Sequence, residues 1–187
     1  DCLLNCAIKS QNLECMKNIY KMMVKDGITP NSVILSTLIK GFNRTKNYEL
    51  AFSLFKNLTE DQFNSIDIVF YNSLLDCCVE SGNQNMLNEV YQALEKRTAD
   101  SKGFITPTVI TYSTMLKGYT KVADIEKAET LYNQYKSTKG YVDEVFFNIM
   151  ADFYGKQKDE RKILGVLRDM KFAGVIRSSV IYSIIIK

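Results

Sequence analysis

The 187 residues contain no histidine, which removes the commonest general base and metal ligand. Hydroxyls, amides, carboxylates and thiols are left to do any chemistry. The five cysteines, Cys2, Cys6, Cys15, Cys77 and Cys78, lack the spacing of a disulfide framework and point to a reducing compartment. Cys2 and Cys6 stand at i, i+4, but no second thiolate pair completes a tetrahedral site, so no metal or other cofactor is expected. Carboxylates are scattered rather than clustered as two-metal chemistry requires, and no glycine-rich phosphate loop occurs. Catalysis therefore finds no residues to carry it. The polar residues that recur are of another kind: Ser36, Asn72, Ser113 and Asn148 at one set of places, and Asp67, Thr108, Asp143 and Ser178 at another. A carboxylate in such a place can accept hydrogen bonds. Ser, Asn and Asp are also common helix caps, but recurrence at two fixed places argues against chance.

Those places are fixed by an internal repeat. Val109 to Leu116 reads Val-Ile-Thr-Tyr-Ser-Thr-Met-Leu, and altered copies begin at Ser32, Ile68, Glu144 and Ser179. The five starts are spaced by 36, 41, 35 and 35 residues, a period typical of solenoids. Each unit reads as two helices. The second helices carry apolar residues at i, i+3, i+4 and i+7: Met16, Ile19, Tyr20 and Met23; Ala51, Leu54, Phe55 and Leu58; Leu87, Val90, Tyr91 and Leu94; Ala128, Leu131, Tyr132 and Tyr135; Ile163, Val166, Leu167 and Met170. The pattern predicts helices near 2–10, 12–25, 33–45, 47–58, 69–81, 84–97, 109–122, 124–138 and 180–186. Asp124 is read as an N-cap, and Gly82-Asn83 and Asp26-Gly27 as turns. The units are then 1–31 (truncated), 32–67, 68–108, 109–143, 144–178 and 179–187 (the start of another). The extra residues of the second full unit fall in Arg97 to Thr108, read as a lengthened surface loop. No unit can bury its apolar faces without a neighbour, so the fold expected is all-α, one continuous α-solenoid of antiparallel helical hairpins.

Composition agrees. Apolar residues make up 46% of the chain, with two prolines and nine glycines, which suits long helices. The net charge of +3 demands no acidic partner, and no apolar run reaches the length of a membrane span. Because Asp1 falls inside a unit, the sequence reads as a piece of a longer array, with no targeting segment of its own.

Absence of tryptophan weighs against tetratricopeptide repeats, which carry one early in the first helix. The unit openings, Lys117-Gly118-Tyr119, Ala128-Glu129 before Leu131-Tyr132, and Gly27-Ile28-Thr29-Pro30-Asn31 at a unit's close resemble instead the pentatricopeptide repeat family, over essentially the whole chain. Pro30 and Pro107 share the penultimate place of their units.

That resemblance implies a right-handed superhelix that binds single-stranded RNA, about one base per repeat, read by two or three side chains. It implies that the second residues, Val33, Val69, Ile110, Val145 and Val180, wedge against base faces; the plain alternative is ordinary packing. It implies further that fifth and last residues read base edges together. Ser36/Asp67 and Ser113/Asp143 then call for G, Asn72/Thr108 for a pyrimidine, and Asn148/Ser178 for C, giving 5′-G-Y-G-C-3′. Thirteenth residues Lys9, Arg44, Lys121 and Lys156 would meet phosphates, Glu80 breaking the stripe; the plain alternative is a solvated, dipole-favoured helix end. Ninth residues alternate as Lys40, Asp76, Lys117 and Asp152. The family's usual homes are mitochondria and plastids, and its usual tasks are RNA processing, stabilisation and translation, without enzymatic activity of the repeats. Rival readings are a helical scaffold for ribosomal or processing proteins, and the RNA-positioning arm of a nuclease.

Cys6 and Cys77 occupy a tenth place that Gly41 and Gly118 fill elsewhere, which suggests close helix packing rather than thiol chemistry.

Overall fold

The computed structural model describes residues 2–100, 105–137 and 143–186, and among these every regular element is a helix. The helices are α1 (Cys2–Lys9), α2 (Leu13–Lys25), α3 (Ser32–Arg44), α4 (Tyr48–Lys56), α5 (Glu60–Ser65), α6 (Ile68–Ser81), α7 (Gln84–Asp100), α8 (Val109–Lys121), α9 (Ile125–Ser137), α10 (Glu144–Lys156), α11 (Glu160–Phe172) and α12 (Ser179–Ile186). They fall into two compact units, residues 1–106 and 107–187.

In the first unit α1, α3 and α6 pack side by side, with α2, α4 and α7 each folded back on the helix before it. In the second, α8, α10 and α12 pack side by side, and α9 and α11 fold back on α8 and α10. Each hairpin turns at a residue with positive φ: Gln11 (51°), Lys46 (56°), Gly82 (70°), Ala123 (56°) and Lys158 (59°). These occupy the same place in successive repeats, so periodicity reaches the backbone torsions. Only Gly82 is the residue that the left-handed region favours.

Helix starts are capped by the residues that close each repeat. Asn31, Asp67 and Asp143 accept, through Oδ1, the N–H of Ile34, Phe70 and Phe146, each at 3.0 Å. Asp124 caps α9 as expected, taking the N–H of Lys127 at 3.2 Å. Asn83 and Asp159 do the same for α7 and α11.

The second-helix stripes form much of the core. Met16, Ala51, Phe55, Leu87, Val90, Leu94, Ala128, Leu131, Tyr132, Tyr135, Ile163, Val166 and Met170 are buried. Burying a side chain of this size contributes about 1.5–3 kcal/mol. Ile19, Tyr20, Met23, Leu54, Leu58, Tyr91 and Leu167 are half-buried. First helices supply the rest, with Leu35, Leu38, Ile39, Phe70, Tyr71, Leu74, Leu75, Met115, Leu116, Phe146 and Phe147 inside. Tyr112 is half-buried and stacks on Tyr135, centroids 4.3 Å apart.

Close approach explains Gly41. A Cβ there would meet Met16 Sδ at 2.5 Å and Ile8 Cγ1 at 2.9 Å. Cys77 shares the tenth place and is buried, whereas Cys6 is exposed. The rule is local, because Phe153 fills the same place in α10 and is buried.

Two expectations need correction. The second helix expected over 47–58 ends at Lys56, and a further helix, α5, follows. Its start is a capping box: Gln62 N–H donates to Thr59 Oγ1 at 3.3 Å, and Thr59 N–H to Gln62 Oε1 at 3.1 Å. The stretch from Arg97, read as loop, continues α7 to Asp100. Arg97 is anchored there, donating to Asn64 Oδ1 at 3.0 Å and lying 5.3 Å from the Phe63 ring centroid. The rest of that loop reading falls partly on residues 101–104, outside the described residues.

Candidate nucleic-acid interface

The five second-place aliphatics are all exposed. Relative exposure is 56% for Val33, 47% for Val69, 61% for Ile110, 56% for Val145 and 53% for Val180. On the same helices Leu35, Phe70, Met115, Phe146 and Ile181 are in the core. Each stands in the first turn of its helix, beside the capping residue of the preceding repeat.

Three turns of polar chemistry lie alongside. Ser36 is 4% exposed and its Oγ has no hydrogen-bond partner; Ser113 Oγ and Asn148 Oδ1 are likewise buried and unpartnered. A helical hydroxyl normally has a ready acceptor one turn back. Thr37 donates to Val33 O at 2.7 Å, Ser73 to Val69 O at 2.7 Å, and Ser183 to Ser179 O at 2.9 Å. Ser36 and Ser113 make no such bond, and an unsatisfied buried polar atom costs about 1–3 kcal/mol. Asn72 is half-buried and engaged in the protein.

Two of the last residues are tied to the first residue of their own repeat. The Asp67 N–H donates to Ser32 Oγ at 3.1 Å, one turn before Ser36 on α3. Ser178 is tied in the same way to Glu144, one turn before Asn148 on α10: its N–H donates to Glu144 Oε1 at 3.3 Å, and its hydroxyl donates to the same oxygen. These hydrogen bonds hold the Glu144 carboxyl below its usual range, the Ser178 hydroxyl foremost, although burial opposes them. Ser113 and Asp143 lie at the start of α8 and just before α10, where Val109 offers no such link. Asn72 lies in the first compact unit and Thr108 in the second; the Thr108 N–H donates to Thr111 Oγ1 at 3.0 Å.

Lys9, Arg44, Lys121 and Lys156 are exposed in the last turns of α1, α3, α8 and α10, where the helix dipole also favours them. Lys156 Nζ lies 2.6 Å from Asp152, so a phosphate there competes with a carboxylate. Asp76, the other acidic ninth residue, accepts from Asn43 on α3, in the preceding repeat, at 2.9 Å. The alternation of ninth residues thus has a structural side: one carboxylate joins two repeats, and the other restrains a lysine. Glu80 is exposed.

Elsewhere, carboxylates join the second helices to the next repeat. Glu129 accepts from Tyr154 at 3.1 Å and Lys162 at 2.6 Å, and Asp169 from Tyr132 and Lys136, both at 2.9 Å. Burial raises the phenols of Tyr132 and Tyr154, and the facing carboxylate raises them further. Burial also pushes the Cys77 thiol up to about 12 and raises Cys78, so neither is a ready nucleophile. Among the described residues no group of three or more Cys, Asp or Glu could hold a metal ion, and no helix is long and apolar enough to cross a membrane.

The links from Ser32 and Glu144 to the last residues escaped the sequence reading. Their only signal was a polar residue opening a repeat, where two others open on Ile68 and Val109.

Comparison with known proteins bears on the same residues. The pentatricopeptide repeat domain matches residues 18–64 and 53–122, and the PPR repeat matches 110–137 and 145–175. A pentatricopeptide repeat-containing protein of Arabidopsis thaliana is 25% identical over 187 residues, covering 98% of this chain and 31% of its own. A second, named chloroplastic, is 23% identical over 60% of this chain and 22% of its own. The chain thus spans less than a third of the length of these relatives. Among solved structures, maize PPR10 in complex with an 18-nt psaJ RNA element superposes with a TM-score of 0.74 at 17% identity, over 98% of this chain and 26% of that one. The nuclear proteinaceous RNase P 2 of A. thaliana gives 0.73 at 15% identity, over 97% of this chain and 39% of that one. Both show the fold, a helical-repeat solenoid, and the family descriptions cover well over half of the chain: it belongs to the pentatricopeptide repeat family.

Proposed function

We propose that this chain is a non-catalytic module that binds single-stranded RNA, reading about one base per repeat in the order 5′-G-Y-G-C-3′. The observation that carries the reading is the set of unpartnered buried atoms, Ser36 Oγ, Ser113 Oγ and Asn148 Oδ1, at equivalent places beside exposed aliphatic residues. A base edge supplies the missing partners once these side chains turn toward solvent, and the aliphatic residues supply a surface for its flat faces. Asp67 and Asp143 add a carboxylate that accepts from the ring N–H and amino group of guanine, while adenine offers no ring donor. Lys9, Arg44, Lys121 and Lys156 would attract phosphates.

The solved complex of PPR10 with an RNA element supports the reading by likeness of fold. The names of relatives, one chloroplastic and one mitochondrial, support an organellar setting, with RNA processing, stabilisation or translation as the task. A second reading, the RNA-positioning arm of a larger nuclease, draws on the fold shared with the RNase P protein; catalytic carboxylates elsewhere in a longer polypeptide would favour it.

Titration of labelled G-Y-G-C RNA against a scrambled oligomer at two salt concentrations tests the proposal. Selective binding is expected, and Ser113→Asn should move the third-base preference from guanine to a pyrimidine. Equal binding of both oligomers at both salt concentrations sinks base reading.

A further inference from the structure

The orphaned atoms account for what the fifth residues lack, but they leave Glu144 without a role. Ser178 Oγ has one proton and two lone pairs. Its proton is given to Glu144 Oε1, and one lone pair accepts the N–H of Val180 at 3.1 Å. One lone pair is left, so this hydroxyl can accept from a ligand but cannot donate to it.

We infer that Glu144 is a specificity-positioning residue, which fixes Ser178 as an acceptor-only reader and thereby favours cytosine over uracil at the fourth base. The inference rests on the base-reading proposal above. The amino group of cytosine brings N–H donors to that remaining lone pair, whereas uracil carries a carbonyl oxygen at the same ring position, whose lone pairs would face it.

Other repeats show what the position does without a carboxylate. Ser32 accepts only the backbone N–H of Asp67, and Asp67 has no side-chain proton to surrender. Val109 can accept nothing. Glu144 is thus the opening residue that settles the donor state of its reader.

The test is equilibrium binding of the 187-residue chain, and of its Glu144→Val and Glu144→Gln variants, to labelled RNAs ending G-C and G-U at the third and fourth positions. The wild type is expected to prefer C over U about tenfold, the size of one satisfied against one frustrated hydrogen bond. Glu144→Val frees the Ser178 proton to donate to a uracil carbonyl, so the ratio should fall toward unity, mainly through tighter binding of U. Glu144→Gln keeps a carbonyl that accepts the Ser178 proton and should keep most of the preference. A ratio unchanged in Glu144→Val overturns the inference, as does an equal loss in both variants, which would make charge alone the cause. Guanine dependence at the first and third bases, read in the same titrations, reports that each variant is folded. Wild-type protein that reads those guanines but not C against U overturns this inference alone. Absence of discrimination at every base removes the parent proposal with it.

Discussion

Gly82 and Ala123 pose one structural question with opposite answers. Both are exposed, both occupy the turn between the helices of a repeat, and their φ angles are 70° and 56°. Gly82 has the residue type this conformation favours, and a Cβ built there meets nothing within 4 Å. The cost of Gly82→Ala is then purely a backbone cost. Holding a Cβ in the left-handed region costs roughly 1–2 kcal/mol, and restriction of the unfolded chain by alanine returns about 0.4–1 kcal/mol. The net loss is about 1 kcal/mol. Ala123→Gly runs the same cycle backwards and should gain a similar amount.

With a urea dependence of roughly 2 kcal/mol per molar, each change shifts the unfolding midpoint by about 0.5 M, downward for Gly82→Ala and upward for Ala123→Gly. Urea titration followed by helical circular dichroism reads both. Helix propensity alone predicts the reverse, because alanine is the better helix former by about 1 kcal/mol. A lower midpoint for Ala123→Gly, or a higher one for Gly82→Ala, would show that these residues belong energetically to the helices, and the turn-strain argument would fall.

Two other perturbations separate packing from function. Tyr71 is fully buried and its hydroxyl is unpartnered, so Tyr71→Phe should add about 1 kcal/mol of stability, read as a higher melting midpoint. Burial pushes the same phenol up to about 12, with Arg97 pulling the other way. Between pH 10 and that value the unfolded chain has lost a proton that the folded chain retains, so stability falls by up to about 1.4 kcal/mol per pH unit. A melting series across that range should show a shallower decline for Tyr71→Phe, and parallel declines would assign the alkaline loss to other groups. Asp152→Asn releases Lys156 and should tighten RNA binding at low salt, steepening the logarithmic salt dependence by about 0.7 for one added phosphate contact. An unchanged slope would remove Lys156 from the phosphate contacts.

The sequence made the apolar half of this fold readable because burial leaves a periodic trace. Ala128, Leu131, Tyr132 and Tyr135 are spaced for one helical face, and all four are buried. Helix caps left a trace too, since Asp124 precedes an apolar run and caps it. Turn strain left none: Lys46, Ala123 and Lys158 hold the torsions that glycine holds at position 82, and nothing in their chemistry announces it. Helix α5 was hidden for a related reason. Glu60–Ser65 is short and polar, stabilised by the reciprocal Thr59–Gln62 cap rather than by a stripe. Of the candidate site, the places could be counted from the repeat, but the hydrogen bonds could not. Glu144 and Ser178 are 34 residues apart, and their meeting depends on how one repeat closes against its own start.

Those bonds also change the terms on which the last residues are judged. From sequence, Asp67 and Asp143 were either helix caps or base readers, as if one role excluded the other. Both are caps: each accepts a backbone N–H through Oδ1. A carboxylate has two oxygens and about four lone-pair sites, so one cap bond leaves Oδ2 able to accept. The cap also fixes the side-chain torsion, which fixes where that second oxygen points. A reader held in this way has less rotamer freedom to lose on meeting a base, so pre-organisation adds to affinity. Replacing Asp143 by Asn, which caps equally well but cannot accept through both side-chain atoms, separates the roles: stability should hold while guanine preference at the third base falls about tenfold. Loss of both together would mean that the residue serves the RNA only by keeping its helix in place.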